Sequence, residues 1–222
     1  MRIRKPAKEQ QAAVGRASAS AASALAADSL ALSLLLAARV IAAVRGGQSL
    51  TQVLSTLSSE HSEARAAAQD VAYGSLRRYA CGEFLLGRLL TRALPHPETE
   101  ALLLAALYRL QTRPDSAYMV VDQAVAAAAE LAGGAFKGLV NGVLRNYQRQ
   151  RHALHAAMAD DDEATQQHPR WWLARLRRAY PDRWPAIVAA GNAQPPMTLR
   201  VNQRRITVAD YLARLQAVGS SA

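Results

Sequence analysis

The chain has 222 residues, half of them apolar but only 5% aromatic. Alanine is plentiful, and alanine is the strongest helix former while strands favour β-branched and aromatic residues, so the composition points to an all-α protein. A net charge of +10, carried mostly by arginine, calls for a polyanionic partner: nucleic acid first, an anionic membrane surface or an acidic protein next. The single cysteine, Cys81, excludes an internal disulfide and a cysteine-rich zinc site, and fits a reducing cytoplasm.

Residues 1–27 are rich in Ala, Ser and Arg. They lack a hydrophobic stretch ahead of the Ala/Ser tract, which argues against a secretory signal; the tract resembles a transit peptide in composition, and the plainer reading is a disordered tail. The apolar run Leu30–Val44 is interrupted by Arg39 and is too short to span a membrane. Asp28 is placed to cap a first helix that runs through Leu32, Leu35, Leu36 and Val40. Gly46-Gly47 ends it, because glycine takes the left-handed C-terminal conformation without a Cβ penalty. Ser49 and Gln52 form a capping-box pattern for a short second helix.

A long helix is predicted over 62–92, with Gly74 and Gly82 as places to bend or to pack closely. Pro95-His96-Pro97 breaks it. The next helix, 98–111, is so apolar through Leu102–Leu107 that it must be central to a core. After the turn 112–115, Asp115 or Ser116 caps a helix over 116–131. Gly133-Gly134 closes that helix, and another follows over 135–151. Asp160-Asp161-Asp162-Glu163 reads as a solvated linker. Beyond it, His168 is placed as a cap with Pro169 at the first helical position. A short helix over 183–190 ends at Gly191. Alternation in Met197–Val201 predicts a strand, and Thr207-Val208-Ala209-Asp210 opens a last helix. The resulting organisation is a tail (1–27), a helical domain (28–155), an acidic and then basic helical linker (156–194), and the start of a small subdomain (195–222).

Two places carry candidate chemistry. In helix 135–151, Val140, Val143, Leu144 and Tyr147 make one buried face, which puts Arg145 and Arg149 toward solvent. Lys137, Arg145, Arg149 and Arg151 have no acidic residue among them. Gly133, Gly134 and Gly138 leave backbone N–H groups at a helix N-terminus that suits phosphate; the plainer reading is that these glycines only cap and turn. In helix 169–180, Trp172, Leu173, Leu176 and Tyr180 form an apolar arc. Trp171, Arg175 and Arg178 share another arc, the usual make-up of a surface that stacks bases and pairs phosphates. The alternative is that Trp171 anchors the helix while the arginines face water. Arg200, Arg204 and Arg205 extend the basic track. No nucleotide-binding loop, nucleophile elbow or metal-ligand spacing is present. His152 and His155 lack a third ligand, and Cys81 reads as a small buried hydrophobe. No catalytic residue and no metal ligand is assigned.

Gln69-Asp-Val-Ala-Tyr-Gly-Ser-Leu-Arg77, Ala106-Leu-Tyr-Arg-Leu110 and Lys137-Gly-Leu-Val-Asn-Gly-Val-Leu-Arg145 resemble the NusB-type all-helical RNA-binding domain. His168-Pro169, Ala179-Tyr-Pro181 and Pro195-Pro-Met-Thr-Leu-Arg-Val-Asn202 resemble the N-terminal half of the RsmB (Sun/Fmu) family of bacterial small-subunit ribosomal RNA cytosine-C5 methyltransferases. The resemblance covers about residues 28–218. It implies a NusB-like bundle, a linker, and a truncated strand–helix start of a small RNA-recognition subdomain. In that family a later domain binds S-adenosylmethionine and supplies the cysteines that attack cytosine and assist release; neither role transfers to Cys81. The chain is therefore expected to bind ribosomal RNA, not DNA or membrane, in the cytoplasm, to hold no cofactor itself, and to be inactive alone, as a fragment or a truncated gene product. The alternatives are a freestanding NusB-like antitermination factor with a ribosomal protein partner, and a helical scaffold with no RNA role.

Overall fold

The structure, a computed structural model, describes residues 25–57, 62–193 and 198–217. These form α1 (Leu30–Arg45), α2 (Leu50–Ser55), α3 (Ser62–Arg77), α4 (Tyr79–Leu89), α5 (Pro97–Thr112), α6 (Ala117–Ala129), α7 (Lys137–Ala159), α8 (Asp162–Gln166), α9 (Arg170–Ala179), α10 (Trp184–Asn192) and α11 (Val208–Ala217). No strand occurs among the described residues, in keeping with the all-α expectation. The chain divides into two compact units, one up to Trp184 and one from Pro185.

In the first unit, α1 and α5 are buried nearly all round. Leu32, Leu34, Leu35, Leu36 and Ile41 of α1, and Leu102 to Leu107 of α5, have almost no exposed surface. A helix with no polar face has to be enclosed by others. Accordingly α1 packs on α3, α5 and α6, and α5 on α3, α4, α6 and α7. Alanines at the contacts, including Ala37, Ala38, Ala68, Ala101, Ala105 and Ala124, are fully or almost fully buried; short side chains let the helices approach closely.

The caps differ from the sequence expectation by small steps. Ser29, not Asp28, caps α1: its Oγ accepts from the Leu32 N–H at 3.1 Å. Ser49 stands at the N-cap of α2 but makes no side-chain cap hydrogen bond, so the capping box does not form. Ser116 likewise precedes α6 without capping it. His96 caps α5, with Nδ1 accepting from the Thr99 N–H at 3.3 Å and lying 3.0 Å from the buried Thr99 hydroxyl.

The predicted 62–92 helix breaks at Arg78 (φ −106°, ψ 29°) into α3 and α4. The break falls at neither glycine, because both are used for close packing. A Cβ on Gly74 would clash with the hydroxyl end of the Tyr108 ring, and one on Gly82 would lie 2.7 Å from Leu104 Cδ2.

The acidic run is not a solvated linker. Helix α7 continues to Ala159, and Asp161 caps α8 by accepting from the Ala164 N–H at 2.9 Å. Asp161 and Glu163 pair with Arg170, and Asp162 pairs with Arg177. Three of the four acids, Asp161, Asp162 and Glu163, are therefore counter-charge for α9, and Asp161 also caps α8; this local pairing explains their order. Pro169, not His168, occupies the N-cap of α9. His168 instead stacks on Trp172, with ring centroids 4.4 Å apart and planes at 18°.

In the second unit, Gly191 lies inside α10 rather than ending it. Residues 198–202 are irregular, where a strand was predicted; Met197 lies outside the described residues. An isolated strand has no ladder to join, and the chain turns at once. The Asn202 carbonyl accepts from the N–H groups of Arg205 and Ile206, and its side chain from that of Arg204. Thr207 opens α11 as predicted, its Oγ1 accepting from the Asp210 N–H at 3.2 Å.

Candidate nucleic-acid interface

Helix α7 places its residues as its 3.6-residue period requires. Val140, Val143, Leu144 and Tyr147 are buried against the bundle, while Arg145 and Arg149 are exposed. Each arginine is steadied by an amide one turn back. Arg145 Nε donates to Asn141 Oδ1 at 3.0 Å, and an Arg149 terminal nitrogen lies 3.5 Å from Asn146 Oδ1. Arg151 is not on this face. It is half-buried, and its charge acts on Tyr147 and His155 instead.

At the start of α7, Lys137 is exposed, no side chain caps the helix, and the first turn holds no acid. Gly133 (φ 62°) and Gly134 (φ 78°) adopt the left-handed conformation that makes glycine necessary there. Gly134 is not an open donor, because its N–H is given to the Leu131 carbonyl at 2.8 Å. Turning is thus its first task. Gly138 lies exposed in the first turn, with open space beside it.

Trp171 on α9 is 63% exposed, so it anchors nothing within the described residues. It lies beside Trp172, Arg175, Leu176 and Ala179 around a shallow apolar depression. Arg178 is exposed nearby on the same helix. The buried residue of α9 is Leu173; Trp172 and Leu176 are half-buried and Tyr180 is half-exposed, so the predicted apolar arc is only partly covered. In the second unit, Arg200, Arg204 and Arg205 are exposed, and Arg200 and Arg204 border a concavity with Asn202 and Val208.

Most arginines among the described residues make no ion pair. Among the described residues, Arg45, Arg109, Arg170 and Arg177 pair with carboxylates, whereas Lys137, Arg145, Arg149, Arg151, Arg175, Arg178, Arg200, Arg204 and Arg205 do not. Arg177 is doubly held, by Asp162 at 2.8 and 3.0 Å and over the Trp184 ring at 4.3 Å. The hydrogen bond to Arg177 keeps the Asp162 carboxyl below the usual carboxylate range.

Cys81 is fully buried. Its Sγ lies 3.2 Å from Gln111 Oε1 and 3.2 Å from Met158 Sδ. Burial pushes the thiol pKa up, against smaller opposing effects from Arg78 and Gln111. Such a thiol is a poor nucleophile. The described residues contain no strand and so no crevice at the end of a parallel sheet. No group of three metal-ligating side chains comes together among them, and no described helix is long and apolar enough to cross a membrane.

Sequence reasoning missed one feature. A groove between α6 and α7 is bordered by Tyr118, Asp122, Asn141, Arg145 and Gln148. Tyr118 is 82% exposed.

An enclosed α1–α5 pair surrounded by other helices, with exposed arginines on α7, defines an all-helical bundle with a basic outer face. Residues 32–149 match the NusB family, and residues 168–222 match the RsmF/B-like methyltransferase ferredoxin-like domain. The chain belongs to the NusB family, and it carries the RsmF/B-like segment after the NusB domain. It is similar to proteins named ribosomal RNA small subunit methyltransferase B. The one from Enterobacter sp. (strain 638) is 35% identical over 185 residues, covering 82% of this chain and 43% of the relative. That from Erwinia tasmaniensis is 37% identical over 191 residues, 84% and 44%. That from Pseudomonas syringae pv. tomato is 38% identical over 192 residues, 85% and 43%. The chain thus spans less than half the length of these relatives.

Proposed function

We propose that this chain is the RNA-binding, non-catalytic N-terminal portion of an S-adenosylmethionine-dependent ribosomal RNA cytosine-C5 methyltransferase of the cytoplasm. The observation that carries the reading is the solvent face of α7, where Lys137, Arg145 and Arg149 stand exposed without carboxylate partners. Guanidinium forks there pair with backbone phosphates. The uncapped α7 N-terminus, with the Gly133–Gly134 turn and Gly138, adds backbone dipoles of the same sign. Trp171 with Arg175 and Arg178 offers a stacking surface. Arg200, Arg204 and Arg205 are a separate basic cluster in the second unit, and Arg151 contributes charge from the flank of α7. The sealed Cys81 supports the absence of catalysis, since attack on cytosine needs a thiolate.

The freestanding antitermination alternative leaves residues 168–222 without a role. A scaffold without RNA leaves the unpaired arginines unexplained.

The test is titration of the full chain against a structured fragment of small-subunit ribosomal RNA at rising salt. Affinity should fall steeply, as it does when several phosphates are contacted. A flat response between low and moderate salt would sink the reading. Incubation with S-adenosylmethionine and the same RNA should transfer no methyl group, and turnover by the purified chain would contradict the non-catalytic role.

A further inference from the structure

We propose that the α6/α7 groove is a subsite for one unstacked base of single-stranded RNA, with Tyr118 as its stacking surface and Arg145 as its phosphate clamp. This deepens the RNA-binding reading and rests on it. The groove encloses about 250 Å³, a size suited to one planar ring. Val121, buried, and Val125, half-buried, line it with apolar surface. At its edge Tyr118 leaves 82% of its surface in water. An aromatic ring so placed stacks on any base, since every base has a π-face.

The polar groups around the groove divide by charge. Arg145 is held through Nε by Asn141, at 3.0 Å, which leaves its two terminal nitrogens to form a fork for a phosphate. Asp122 is held through Oδ2 by the Gln123 amide at 3.1 Å, and Gln123 in turn accepts from the Ala31 N–H at 3.2 Å. The carboxylate repels phosphate but accepts from the N–H groups of a base edge. Gln148 can donate and accept at the same edge. One cation for the backbone and one anion with an amide for the base describe a nucleotide. An acidic peptide would meet Asp122 as a like charge.

The experiment uses the full chain with two probes: a single-stranded RNA decamer carrying a central 2-aminopurine, and the blunt duplex of the same decamer. Tyr118→Ala should weaken the single strand about five- to hundredfold and abolish the quenching of 2-aminopurine, while duplex affinity stays unchanged. Tyr118→Phe should retain both. Because the side chain is exposed, helical content should not change in either variant. If the wild-type chain binds the decamer and Tyr118→Ala binds it equally well, the subsite is wrong while the RNA-binding reading survives, whatever protein that patch then meets. If the wild-type chain binds neither probe at low salt, both readings fall.

Discussion

The Tyr147 hydroxyl lies 3.0 Å from Nε2 of His155, two turns further along the same helix. The pair ties the part of α7 that packs in the bundle to the part beyond the helix predicted over 135–151. A neutral ring with a bare Nε2 accepts from the hydroxyl at this distance. Burial first, then the charges of Arg151, Arg78 and His152, holds its pKa below the ordinary histidine value.

A pH dependence follows from that pair. In the unfolded chain the histidine titrates near ~6.5; in the folded chain it titrates lower. Between those values the unfolded state binds more protons, so stability rises with pH across the window. The contribution is complete above the unfolded value and is lost as pH falls through the folded one. Urea unfolding at stepped pH should therefore show a shallower acid loss for His155→Gln than for the wild type. Equal slopes would mean that the pair does not favour the neutral ring.

The double substitution Arg145→Glu/Arg149→Glu should weaken RNA binding on the order of ten- to a hundredfold at low salt and make the salt dependence shallower, by roughly one unit of slope per phosphate lost. Both side chains are exposed, so circular dichroism should not change. Unaltered affinity would remove this face from the interface.

Gly74→Ala should destabilise by about 1–3 kcal/mol, because the Tyr108 ring must move to admit the new methyl group. Gly82→Ala should cost less, since it meets only the flexible tip of Leu104. Gly87, exposed in α4 with open space around it, should gain up to about 1 kcal/mol on conversion to alanine. Thermal melts of the three variants should fall in that order, with Gly74→Ala lowest.

A chain lacking residues 164–222 should stay helical, because the continuous core runs from Ala31 to Leu154. It should melt earlier than the full chain. The truncation removes the buried Ala164, and it removes the Gln167 side chain that reaches the Cys81 N–H at 3.5 Å. Loss of most helical signal would show that α8 and α9 are needed for folding.

Much of the fold was legible because apolar period and helix breakers are local signals. The enclosed 98–111 helix, the buried face of α7 and the glycine stop at 133–134 could all be read directly. The break at Arg78 was not, because Gly74 and Gly82 drew the eye, and only their three-dimensional neighbours reveal that they serve packing. The acidic run misled for a related reason. Four consecutive carboxyl groups look like a solvated loop until Arg170 and Arg177 are brought to them. The strand at 197–201 had the right alternation, but pairing is decided by a neighbour that local pattern cannot supply. Of the candidate interface, Arg145 and Arg149 followed from periodicity. Tyr118 did not, because one aromatic beside a valine pair gives no pattern of its own.

Helix α7 has 23 residues, which makes it about 34 Å long. Its first half borders the α6/α7 groove, and its far end leads directly into α8, whose acids clasp α9. A rod of that length, braced midway by Tyr147 and His155, acts as a ruler. It sets a spacing between the groove bordered by Arg145 and the tryptophan-bearing helix, so an RNA that touches both must offer its own features at a matching separation.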